Sequence, residues 1–173
     1  MKLLATAIFL LISQAIWSQS AFPAAWSGTW KGDLFWYNGP GKEPKKIEMQ
    51  LSILKGDTSW TWQLIYGKPG EDNRPYTLFA VDSARGHWAI NEHNGIILDQ
   101  FFLANRLAGA FTVGQNTIIN SYELRGDSML VEFNSLQAKP IAATGLGTED
   151  SPKVDSYRMQ SFQRAVLRKV DVK

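Results

Sequence analysis

Residues 26–37, Trp-Ser-Gly-Thr-Trp-Lys-Gly-Asp-Leu-Phe-Trp-Tyr, alternate. Trp26, Trp30, Leu34 and Trp36 share one parity with Gly28 and Gly32; Thr29, Lys31 and Asp33 take the other. A period of two places these sets on opposite faces of a strand. Glycine inside a strand marks a bend or the close approach of another backbone. Two glycines between large indoles therefore predict a sharply curved strand, such as the first strand of a closed barrel.

The same pattern recurs. Ile47, Met49, Leu51 and Ile53 alternate with polar residues, as do Trp60, Trp62, Leu64 and Tyr66 after the turn Lys55-Gly56-Asp57-Thr58. Further strands are expected over Tyr76–Val81, Gly86–Ile90, Ile96–Ala104, Leu107–Val113, Thr117–Leu124, Met129–Ser135 and Val154–Val170. Gly114-Gln115-Asn116 and Arg125-Gly126-Asp127 are hairpin signals. About ten short strands at regular spacing, with no amphipathic helix among them, point to a sandwich or a barrel. Mostly local hairpins and a long final strand favour an antiparallel up-and-down β-barrel of about 8–10 strands over a β-sandwich. Closure would also remove edge strands that otherwise need protection.

The first twenty residues follow a different rule. Lys2 precedes an apolar run from Leu3 to Trp17, and Ser18 and Ser20 stand three and one residues before Ala21. This is the pattern of a secretory signal peptide. A run of about 15 residues is shorter than the roughly 20 that span a bilayer. The expectation is a cleaved segment 1–20 and a single domain over 21–173, exported to the periplasm or outside the cell. No cysteine follows the run, so a lipid anchor there is disfavoured, and disulfides, thiolate catalysis and Cys-ligated zinc are excluded. Lys2 is the only charge lost from a formal net of +2. The near-neutral remainder lacks the electrostatic footprint of a nucleic-acid binder. No membrane insertion is expected after cleavage, and a monomer is expected.

Gly28-Thr29-Trp30, followed by Lys31-Gly32, resembles the first-strand motif of lipocalins and other calycins, and the opening of nitrobindin-like ten-stranded barrels. The resemblance implies a calyx fold and a small apolar ligand. It also implies that Trp30 closes the barrel base beneath an arginine near the C-terminus, for which Arg164 and Arg168 are both placed; guanidinium stacking on an indole supplies the physical reason. The haem-binding nitrobindins use a histidine near the last strand, and this chain has none after His93. No cofactor is expected.

The candidate ligand-binding residues are aromatics on the inward parities and polar residues that interrupt them. The aromatics are Trp60, Trp62, Tyr66, Trp88, Phe111, Tyr122, Phe133 and Tyr157; the polar residues are Gln100, Asn120 and Gln163. Aromatics pack a core as readily as they line a cavity, whereas a buried amide needs a partner, which a ligand can supply. His87 and His93 are the only histidines, and spacing alone makes a weak metal site. Glu123, Glu132 and Asp99 could pair as glycosidase carboxylates but equally fit a solvated strand face. No nucleophile elbow or phosphate-cradling glycine loop is present, so no enzyme is expected. The function expected is binding of a small hydrophobic or amphipathic molecule; the alternative is a carbohydrate-binding or surface-recognition module with exposed tryptophans. Gln137–Pro152 lacks a period and exceeds a hairpin loop. It reads as a lid hinged at Gly145 and Gly147, with Ile141 and Leu146 turned over the cavity mouth.

Processing is directly testable. N-terminal sequencing of protein from its host should find a start at or near Ala21; an intact Met1 in the membrane fraction would contradict the signal-peptide reading.

Overall fold

A computed structural model describes residues 22–68 and 70–170; the expected signal segment and its cleavage site lie outside them. A short 3-10 helix, Ala24–Trp26, leads into twelve strands: β1 Gly28–Tyr37, β2 Lys45–Lys55, β3 Trp60–Tyr66, β4 Asp72–Asp82, β5 His87–Asn91, β6 Ile97–Leu103, β7 Arg106–Val113, β8 Asn116–Arg125, β9 Ser128–Gln137, β10 Ala142–Thr144, β11 Val154–Ser156 and β12 Met159–Val170. Ten of them close an antiparallel barrel in the order β1-β12-β9-β8-β7-β6-β5-β4-β3-β2. Every strand pairs with its neighbour in sequence, apart from the closing contact of β1 with β12 and the β9–β12 pair across the long insertion. The fold is an all-β up-and-down barrel, compatible with a calycin.

The register explains the closure. Gly32 faces Met49 on one side, and on the other a Cβ at Gly32 would stand 2.5 Å from the Val166 carbonyl oxygen. β1 and β12 approach so closely there that only glycine fits. Gly28, at φ +133°, bends the chain into β1. Trp26 therefore belongs not to the strand but to the helix before it, a correction to the alternation read from the sequence.

That helix plugs the barrel base. Phe22 stacks on Phe102 at 4.3 Å between ring centroids and meets Trp26 and Trp88 edge-on at 4.8 and 5.0 Å. Trp30 donates from Nε1 to the Trp26 carbonyl at 2.9 Å, tying the plug to β1. Above the plug, Leu51, Ile53, Leu78, Leu107, Met129 and Leu167 fill the cross-section and are fully buried. The lower half of the barrel is solid.

The cation over Trp30 is Lys169, its register partner, with Nζ 5.6 Å from the ring centroid. Arg164 and Arg168 are corrected accordingly. They sit on the opposite parity of β12, facing outward, where Arg164 approaches Glu132 at 3.7 Å and Arg168 bonds Asp127 at 2.5 Å. The alternation that buries Ala165 and Leu167 puts both arginines in solvent.

β4 begins four residues earlier than its expected start, at Asp72, and runs through Pro75. β5 ends opposite Thr77, so Pro75 pairs only with Gln63 on β3, and its missing N–H breaks no ladder. This extension carries Asp72 and Arg74 into the barrel wall.

The insertion at residues 137–158 forms an arm. It continues the β9–β12 hairpin beyond the rim: Gln137 N–H bonds the Arg158 carbonyl, Ile141 N–H bonds the Ser156 carbonyl, and β10 pairs with β11. Gly145 is required, because a Cβ would collide with the Pro152 carbonyl. Ile141 and Leu146 are exposed rather than turned over the mouth.

Trp30→Ala should cost about 3–5 kcal/mol in urea unfolding, as for other buried aromatic truncations. Trp36→Ala, near the rim, should cost less, and Lys169→Ala no more than about 1 kcal/mol. Equal small losses at Trp30 and Trp36 would contradict the solid base.

Candidate functional site

Above the packed base the inward positions no longer fill the interior. A cavity of about 470 Å³ opens at the rim between Trp36 and Ile47 on one side and Phe111, Ile118 and Phe133 on the other. Beneath it lies an inner chamber of about 70 Å³, walled by Trp62, Leu64, Leu98, Gln100, Asn120 and Tyr122. Tyr66, Arg74, Glu92, Phe111 and Phe133 border both spaces, so they form one tapering pocket.

Of the sequence candidates, Trp62, Tyr66, Gln100, Phe111, Asn120, Tyr122, Phe133 and Gln163 come together on this pocket. Trp60, Trp88 and Tyr157 do not. Trp60 lies at the lower end of β3 opposite Leu78, Trp88 belongs to the aromatic plug, and Tyr157 stands exposed in the arm. Parity puts an indole on the inner face but says nothing about its height along the barrel axis. Nor is there an open indole platform for sugars among the described residues. Trp26, Trp30, Trp62 and Trp88 are buried, and Trp36 and Trp60 are partly so.

The polar heart of the pocket is the Gln100–Asn120 pair. Asn120 Nδ2 donates to Gln100 Oε1 at 2.8 Å, and Gln100 Nε2 reaches Asn120 Oδ1 at 3.5 Å. Both residues are buried. They lie on β6 and β8, and meet across β7 only because residue 109 is glycine, where a Cβ would stand 2.4 Å from Gln100 Nε2. Each buried amide thus answers the other, as a low-dielectric interior requires.

At the mouth the charges are balanced locally. Arg74 holds Asp72 through two hydrogen bonds, at 2.8 and 3.0 Å, and lies 4.9 Å over the Tyr66 ring. The Arg74 hydrogen bonds lower the Asp72 carboxyl, and the same pairing raises the guanidinium further. Burial pushes the Tyr66 and Tyr122 hydroxyls well above the ordinary phenol range, so both remain protonated donors. Burial, with Glu92 nearby, also raises Tyr76. Arg74, Tyr76, Glu92 and Trp36 were missed by the sequence reading. Asp72 and Arg74 fall in what reads as a loop before a proline, and Glu92 in what reads as a turn.

The remaining chemical candidates lie elsewhere. His87 bonds Asp99 at 2.8 Å and stacks on Phe101 on the outer wall. Glu123 is clamped by Arg106 and Arg125, and Glu132 faces Arg164. The three carboxylates are thus spread over the outer face in separate pairs. Among the described residues no three metal-ligating side chains converge.

Gln100→Leu or Asn120→Leu alone should cost about 1–3 kcal/mol, because each strands a buried amide. The double variant should cost clearly less than the sum of the two. Strict additivity in urea unfolding would show that the pair does not interact. No protein-family model and no curated protein matches this chain.

Proposed function

We propose that this chain is an exported binding protein of calycin type, which holds a small hydrophobic or amphipathic molecule in the upper half of its barrel. The observation that carries the reading is the division of the interior. A solid base supports a pocket of about 470 Å³ whose walls combine aromatic and aliphatic residues with a nearly equal set of polar and charged ones. Pockets of this size, apolar with convergent polar groups, are the usual form of small-molecule sites. The first-strand resemblance to lipocalins and nitrobindin-like barrels supports the same class.

The energetics suffice without catalysis. Covering about 300 Å² of ligand apolar surface contributes roughly 7 kcal/mol before ordering costs. That corresponds to micromolar binding at best.

A neutral fluorescent probe, N-phenyl-1-naphthylamine, tests the reading. Its emission should rise on titration with the protein, with a micromolar Kd. Ile118→Trp, which fills the mouth, should weaken binding at least about tenfold while leaving thermal unfolding nearly unchanged. No probe binding, or equal binding to both proteins, would contradict the reading.

A further inference from the structure

The inner chamber holds an indole N–H with no acceptor and a phenol hydroxyl beside it. Trp62 is fully buried and its Nε1–H has no partner. The Tyr122 hydroxyl stands near enough for the indole N–H to favour its ionised form, although burial outweighs that effect. The rings themselves are fixed edge-to-face at 4.9 Å, and Phe133 meets Tyr122 from the far side at 5.9 Å. Each amide oxygen of the chamber already accepts from the other residue's amide nitrogen. A buried donor without an acceptor is costly, so such a group in a pocket marks where a ligand atom belongs.

Charge narrows the class. Arg74 and Glu92 border the chamber only at its upper edge, and Arg74 is already neutralised by Asp72 with two hydrogen bonds. In the lining of the wider space, Asp72 and Glu92 set two carboxylates beside the single guanidinium of Arg74, which disfavours an anionic headgroup against that wall. An ionised group in the chamber would also lose hydration without gaining a counter-charge.

We propose, resting on the binding reading above, that the ligand is a neutral molecule whose carbonyl oxygen enters the inner chamber and accepts from Trp62 Nε1–H and the Tyr122 hydroxyl. A carbonyl oxygen has two lone pairs for two donors and carries no proton of its own to strand. The chamber, at about 70 Å³, takes the carbonyl and its nearest carbons. A ring or chain attached to it occupies the wider space between Phe111, Ile118 and Phe133.

Displacement of N-phenyl-1-naphthylamine by three compounds of similar shape tests this: acetophenone, ethylbenzene and benzoate. Acetophenone should displace the probe about tenfold more effectively than ethylbenzene, although water holds it more strongly. Trp62→Phe, which keeps the aromatic packing, should bring that ratio close to one. Tyr122→Phe should narrow it as well, and serves if the Trp62 variant does not fold. Equal or better displacement by ethylbenzene in the unaltered protein would overturn the carbonyl assignment and leave the binding reading standing. Benzoate displacing better than acetophenone would overturn it in favour of an anion site at Arg74. A probe that binds but yields to none of the three would also overturn it, whereas a probe that does not bind at all would remove both readings.

Discussion

A barrel of ten strands encloses more space than the side chains of its own wall readily fill, whereas eight strands can be packed solid. How that space is occupied governs the rest of this molecule. At one end the chain fills it from outside the wall. Phe22, just before the N-terminal helix, and Trp26, at its end, enter the base, pack against Trp88 and Phe102, and are fastened to β1 by the Trp30 N–H on the Trp26 carbonyl. At the other end no such plug exists among the described residues, and the interior opens into the pocket. The same closure demands Gly32, where β1 and β12 come too close for any side chain.

Several of the pocket's polar groups are paired within the protein, whereas the indole N–H groups of Trp36 and Trp62 have no acceptor. Gln100 and Asn120 answer each other over Gly109, and Arg74 answers Asp72. The indole N–H of Trp62 is left without an acceptor in the chamber, next to Tyr122. A site in which most polar groups are settled before a ligand arrives is preorganised, and the few unsettled ones carry its selectivity. The outer face spends its charges differently. Glu123 lies between Arg106 and Arg125, Asp33 meets Lys46, and Asp99 meets His87, so these ion pairs stiffen the wall without entering the cavity.

Much of the barrel was legible in the sequence because a period of two is a local signal. It placed Trp62, Tyr66, Phe111, Tyr122 and Phe133 inward, and it flagged Gln100 and Asn120 as polar residues on apolar faces. What it could not supply was height along the axis, which depends on register between strands far apart in the chain. Trp88 and Phe133 share the inward face, yet one closes the base and the other lines the mouth. Lys169 and Arg168 are neighbours in sequence, and only the pairing of β12 with β1 decides which lies over Trp30. Arg74 was hidden because a proline one residue later usually argues against a strand; here β5 stops short and removes the objection. The arm escaped notice because Ala142–Thr144 is too short and too uniform to show a period.

The division of the interior into a closed base and an open pocket can be observed through the indole N–H resonances. In a nitrogen–proton correlation spectrum, titration with N-phenyl-1-naphthylamine should shift the signals of Trp36 and Trp62 and leave those of Trp26, Trp30 and Trp88 in place. Shifts confined to the base indoles, or no shift at Trp36 and Trp62 while the probe binds, would place the ligand elsewhere and contradict the division.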